Sequence, residues 1–197
     1  MSKPFRKVIV KPRMTLVLAT LSAIVLCLPW KATLAATPQS RCWTTVGSTG
    51  TVDEADLGIV NLGADTVAVN SAIGTSTVNV RYNVTAVEGI FSGFHEGHTL
   101  VARMADNGVS SQVTVKLIRV NIANGVSTVL GQLDSNSYVP STVAQRREKL
   151  INVCGTSPDW EFDFRNNVYV VDVALIKSGA EGNPLLRAVQ ICGRNIC

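Results

Sequence analysis

Aromatic residues make up only 6% of this chain, and its 197 residues include just two histidines. So little imidazole leaves thin material for acid–base or nucleophilic chemistry. No G-x-S-x-G elbow, Gly-rich phosphate loop, dinucleotide fingerprint or recognisable Ser/His/Asp set occurs, which removes the enzyme classes that carry such signatures. No C-x-x-C pair occurs among the scattered cysteines, which argues against a thiolate zinc site. Helical and strand patterns do not alternate, so a parallel α/β sheet is not expected. Similar fragments such as Gly74–Val78 and Gly125–Val129 follow no fixed period, which excludes a solenoid.

Basic character is also largely missing once the first 35 residues are set apart. Lys3, Arg6, Lys7, Lys11 and Arg13 form a positive n-region, and Met14–Leu28 is an uncharged apolar run. Small residues at Thr33-Leu34-Ala35 then precede Ala36. This is the pattern of a cleaved secretory signal peptide. The apolar run is shorter than the ~20 residues that span a bilayer as a helix, and Pro29 closes it. An uncleaved membrane anchor is the alternative. A lipoprotein would need a small residue before Cys27, where Leu26 stands. Six of the 18 basic side chains and none of the 14 acidic ones lie before Ala36, which leaves 12 against 14 and a net of −2. The formal charge of +4 therefore belongs to the export signal. It gives no reason to expect a nucleic-acid partner, and contact with a membrane is expected only through the signal segment before cleavage.

Residues 36–197 are expected to form a single domain. It retains Cys42, Cys154, Cys192 and Cys197. An even count in an exported chain favours disulfides. Four cysteines allow three pairings, and a long bridge from Cys42, to Cys154 or to the C-terminal pair, is preferred.

Ser, Thr, Gly and Val dominate from Cys42 onward, a composition that favours strands and turns. The organising stretch is Trp160–Lys177. Trp160–Phe164 alternates large apolar and acidic residues, as a half-buried strand does. Arg165-Asn166-Asn167 supplies turn chemistry. Val168–Ile176 is apolar almost throughout and reads as a central strand covered on both faces. Further strands are expected at Gly58–Leu62, Thr66–Asn70, Thr77–Val87, Thr99–Met104, Gln112–Ile122, Val126–Leu133 and Leu185–Ile191. Gly89–Gly97 reads as a loop. Within Gln112–Ile122 the apolar residues change from odd to even numbers after Leu117, which suggests a β-bulge or a strand buried on opposite faces at its two ends. Asn124-Gly125 is a strong hairpin signal. Val143–Ile151, with Ser141 or Thr142 as cap, is the one candidate helix. About nine strands and at most one short helix make an all-β antiparallel β-sandwich, jelly-roll or Greek-key like.

His95-Glu96-Gly97-His98 holds both histidines beside a carboxylate, so His95, Glu96 and His98 are the candidate ligands for zinc or another transition metal. They do not form H-E-x-x-H, and solvated loop residues are the plainer alternative. Asp53-Glu54-Ala55-Asp56 offers carboxylates for Ca²⁺ but lacks an EF-hand pattern, so a solubilising charged loop competes with it. Asp172, inside the most apolar strand, is read as a structural acid bonded to a backbone N–H or an arginine, with a catalytic role as the alternative. Asp163 is expected to face outward with Glu161. Trp43, Tyr138 and Trp160 are candidates for a sugar-stacking platform, against core packing for Trp160. Arg146-Arg147-Glu148-Lys149 reads as a solvated helix face. Asn83-Val84-Thr85 matches the glycosylation sequon. No catalytic residue is assigned, and no cofactor is expected beyond a possible calcium or zinc ion. The favoured function is an exported, non-catalytic domain that binds a ligand or partner, such as a glycan or a surface protein, or that is structural. The alternative is a metal- or carboxylate-dependent hydrolase near the His95-Glu96-Gly97-His98 loop.

Overall fold

The computed structural model describes residues 42–86, 96–151 and 162–195. Eleven strands occur among them: β1 (Cys42–Val46), β2 (Thr51–Val52), β3 (Val60–Leu62), β4 (Val67–Val69), β5 (Ser76–Val84), β6 (Glu96–Asp106), β7 (Ser111–Asn121), β8 (Ser127–Asp134), β9 (Ser141–Leu150), β10 (Asn167–Lys177) and β11 (Leu185–Asn195). One sheet runs β3-β4-β11-β6-β9, with β1 also paired to β11. The other runs β2-β5-β10-β7-β8. The pairings are nested: β4 with β11, β5 with β10, β6 with β9 and β7 with β8. That is one long antiparallel hairpin rolled into two layers, the jelly-roll form of an all-β sandwich.

The core follows from two-residue alternation. Val78, Val80, Tyr82 and Val84 of β5 face inward with Tyr169, Val171, Val173 and Leu175 of β10. Leu100, Ala102 and Met104 of β6 meet them from the opposite sheet. Strand β10 is central, between β5 and β7, but it is not buried on both faces. From Tyr169 onward its odd-numbered residues are buried and its even-numbered ones half-covered, and Val168 is 44% exposed. β-Branched residues on the outer face reflect strand propensity rather than burial.

Three other expectations are corrected. The stretch expected as a helix is edge strand β9, antiparallel to β6. Its charges suit an exposed sheet edge, where they discourage pairing with another chain. Trp160 and Glu161 lie outside the described residues. Phe162 and Asp163 are not strand, and Phe164–Asn166 is a turn. The aromatic alternation there has another cause: Phe162 and Phe164 pack on Tyr169, with ring centroids 4.6 and 4.9 Å away. Asp163 makes the turn, accepting bonds from the Arg165 and Asn166 backbone and from the Asn166 amide. The last of these holds its carboxyl below the ordinary value. Finally, β6 starts at Glu96, so Glu96-Gly97-His98 are strand rather than loop.

The irregularity expected in Gln112–Ile122 is present in its β7–β8 pairing, but the extra residue belongs to β8. Leu117 faces Gly131 whereas Ile118 faces Val129. Strand β7 keeps unbroken register with β10, so Ile118 and Val120 lie half-exposed on the outer face. Turns at Gly108 (φ 126°) and Gly125 (φ 70°) use the left-handed region that glycine enters without steric cost.

The chain crosses between sheets after β1, where a Cβ on Gly47 would stand 2.3 Å from the Leu186 carbonyl oxygen. The Gly47 carbonyl accepts from the buried Tyr82 hydroxyl at 2.6 Å. Cys42 and Cys192, opposite one another on β1 and β11, are disulfide-bonded. Cys154 and Cys197 lie outside the described residues.

Two predictions follow from these ties. The disulfide closes a sequence separation of 150 residues, so a Cys42→Ala/Cys192→Ala variant should lose about 2–5 kcal/mol in urea unfolding; an unchanged midpoint would refute a stabilising role. Burial pushes the Tyr82 phenol above its ordinary value of 10.0. The folded state keeps this proton while the unfolded chain releases it. The group's contribution is therefore complete below pH 10 and declines as pH rises further. Tyr82→Phe should cost about 1 kcal/mol at neutral pH, since the Gly47 carbonyl loses its donor, and should flatten the alkaline decline. Equal alkaline slopes for the two proteins would contradict this account.

Candidate functional site

The two sheets end on one side in β8 and β9. Between these edges lies a groove of about 410 Å³ lined by Gln132, Leu133, Asp134, Ser137, Tyr138 and Lys149. That volume falls within the ~300–1,000 Å³ usual for ligand pockets. Leu133 lies behind it, 1% exposed and packed in the core. Polar groups of several kinds surround it: an amide, a carboxylate, a hydroxyl and an amine.

Local structure holds these groups in place. Asp134 ends β8 and caps the 3₁₀ turn Ser135–Ser137 by accepting from the Asn136 N–H. The Gln112 side-chain amide donates to both Asp134 carboxylate oxygens at 3.0 Å. The buried Ser135 hydroxyl donates to Asp106 Oδ2 at 2.5 Å and accepts from the Val113 N–H at 2.8 Å. This ties the turn to β6 and β7. Tyr138 follows directly, its N–H bonded to the Ser135 carbonyl. The Arg147 guanidinium lies 4.7 Å from the Tyr138 ring centroid, in the range of a cation–π contact. Arg147 also donates to the Val139 carbonyl. A phenol ring fixed beside amide, carboxylate and ammonium groups can contact an apolar face and hydrogen-bond hydroxyls at the same time. The groove lacks a paired nucleophile and base among the described residues.

The residues singled out from sequence are distributed widely. His95 and the Glu96 side chain are outside the described residues. His98 is 4% exposed and meets Phe162 edge-on at 4.9 Å. It shares its strand face with Leu100, Ala102 and Met104 of the core. Asp53 lies 3.7 Å from Arg81, and Asp56 accepts from the Asn79 backbone and side chain. Both therefore serve the attachment of the Glu54–Asp56 turn to β5. No cluster of three His, Cys, Asp or Glu side chains suited to a metal ion occurs among the described residues. Asp172 faces Arg81 across β10–β5 and pairs with its Nε at 3.4 Å, the arginine-bonded role expected of it. Trp43 is 7% exposed and packed in the core, so it offers no stacking surface. Of the three aromatics, only Tyr138 reaches the groove among the described residues. Asn83 is exposed on β5.

Gln132, Asp134 and Ser137 carry no motif. The only local signal was the turn-forming run Asp134-Ser135-Asn136-Ser137, which marks where β8 ends. Their convergence with Lys149 depends on the sandwich bringing two sheet edges together.

No protein-family model matches the chain, and no curated protein matches it in sequence. Solved structures do resemble it. A family two carbohydrate esterase from Cellvibrio japonicus is 16% identical over 79% of this chain, with a TM-score of 0.36, and the matched region spans 35% of the esterase. The xylan-binding module CBM15 is 10% identical, with 78% of this chain and 97% of the module covered and a TM-score of 0.45. A cyclase from Fischerella sp. TAU is 12% identical, with coverage of 80% and 76% and a TM-score of 0.44. These proteins differ widely in what they do, and at TM-scores below 0.5 none carries a function to this chain.

Proposed function

We propose that this protein is an exported, non-catalytic β-sandwich that binds a glycan at the groove between β8 and β9. The carrying observation is the groove itself, where Tyr138 stands among Gln132, Asp134, Ser137 and Lys149. Sugars present apolar C–H faces and dense hydroxyls, and this mixture of ring and fixed polar groups complements both. The export reading rests on the n-region, apolar run and small-residue site of residues 1–35. The Cys42–Cys192 disulfide suits an oxidising compartment. Among the described residues, no helix is long and apolar enough to cross a membrane.

The competing hydrolase reading places a metal or carboxylate site around His95, Glu96 or Asp172, of which His95 and the Glu96 side chain lie outside the described residues. His98 is on the core side of one sheet and Asp172 on the outer face of the other. Sheets pack about 10 Å apart, so these two groups do not share a site.

The test is binding of the purified protein to a broad polysaccharide panel, followed by titration calorimetry. Tyr138→Ala should weaken binding about tenfold, given the ~0.5–1.5 kcal/mol of an aromatic contact and its lost area. Gln132→Ala, which leaves the ring in place, should weaken it about threefold through one lost hydrogen bond. Silence across the panel would sink the proposal, as would unchanged affinity in both variants at unchanged melting temperature.

A further inference from the structure

The outer face of the sheet containing β6 carries a second depression, of about 200 Å³, lined by Val101, Arg103, Arg146, Ala188 and Gln190. Strand register puts these side chains side by side. Ala188 faces Arg103 across β11–β6, and Arg103 faces Arg146 across β6–β9. In the next row Thr44 faces Gln190, Gln190 faces Val101, and Val101 faces Glu148. Short Val101 and Ala188 form the floor, and long polar side chains form the walls.

Two arginines directly opposite one another are unfavourable in an antiparallel pair. Arg146 is relieved by an ion pair with Glu148. Arg103, exposed on the same face, has no hydrogen-bond or ion-pair partner among the described residues. Gln190 is fixed by donating from its amide nitrogen to the Thr44 hydroxyl at 3.2 Å, which leaves its amide oxygen to accept from a ligand hydroxyl. The row beside it carries the Cys42–Cys192 bridge, so the two strands that position Thr44 and Gln190 are covalently joined.

From this geometry we infer that the depression is an anion subsite, which takes the carboxylate of an acidic polysaccharide between Arg103 and Arg146. A planar guanidinium matches a carboxylate fork to fork. Glu148, through one carboxylate oxygen on an Arg146 terminal nitrogen, shows a carboxylate already held by an arginine on this face. The ligand carboxylate compensates Arg103, the sugar ring covers Val101 and Ala188, and a neighbouring hydroxyl reaches the Gln190 amide oxygen. The polysaccharide part rests on the glycan reading above. The carboxylate part stands on the arginines alone.

The experiment titrates the purified protein with a polyuronate, a neutral polysaccharide, a sulfated polysaccharide and free galacturonate, with Arg103→Gln and Gln132→Ala in parallel. The inference expects the polyuronate to bind more tightly than the neutral chain and to weaken with added salt. Arg103→Gln should weaken it about three- to tenfold, below the range for buried charged hydrogen bonds because the site is open to water. Binding of neutral chains should be untouched by that variant. Polyuronate binding no tighter than neutral binding, or insensitive to Arg103→Gln, overturns the inference and leaves the glycan reading intact. Equal preference for the sulfated chain overturns the carboxylate assignment. If no polysaccharide binds but galacturonate shifts the Arg103 side-chain resonances, the glycan reading falls and the carboxylate subsite stands. If galacturonate shifts nothing either, both fall.

Discussion

A slip of β10 by one residue against β5 and β7 would turn Asp172 toward the core and Val171 and Val173 toward water. The whole fold depends on preventing that slip, because side-chain direction in a strand alternates with a period of two. The register is held from both sides. Tyr169–Lys177 pair with Ser76–Val84 on one flank, and Asn167–Lys177 with Ser111–Asn121 on the other. Asp172 lies between Arg81 and Lys116 in this arrangement. As an exposed pair, Arg81–Asp172 contributes little energy. A charge placed mid-strand contributes specificity instead, because a slip by one residue would bury it.

The groove inherits its shape from that register. The β7–β8 hairpin is locked to β10 along β7, so the extra residue falls in β8, between Val129 and Gly131. Beyond the bulge, Leu133 turns into the core and Asp134 meets Gln112. The Asp106–Ser135–Val113 links then place Tyr138 at the mouth. Thus the site sits on a turn, but the turn is attached to three strands. Groups fixed in this way would lose little freedom on binding the proposed ligand.

Much of the fold was legible in sequence because it rests on alternation and turn chemistry. Val78, Val80, Tyr82 and Val84 announced β5, and Asn124-Gly125 announced the β7–β8 turn. Phe162 and Phe164 misled, because two aromatics capping the end of a core leave the same spacing as a strand. The run Gln145–Lys149 misled in the other direction. Its residues favour helix intrinsically, and only pairing with β6 makes it a strand. The site was scarcely legible, since Gln132, Asp134 and Ser137 owe their proximity to Lys149 to tertiary structure. Tyr138 alone was named in advance as a binding candidate, on its chemistry, whereas Lys149 was read as part of a solvated face.

That misread run matters most for function. On a helix, Arg146, Arg147, Glu148 and Lys149 would fan around an axis. On β9 they divide by parity. Arg147 stacks on Tyr138 and Lys149 lines the edge groove, whereas Arg146 and Glu148 stand on the outer sheet face beside Arg103. A single edge strand therefore supplies cations to two concave surfaces at once. The charges that protect a sheet edge from pairing with another chain are also those that a ligand would meet. Edge protection and the proposed recognition then make the same demand on the sequence: long, charged side chains, alternating in direction, on a strand paired on one side among the described residues.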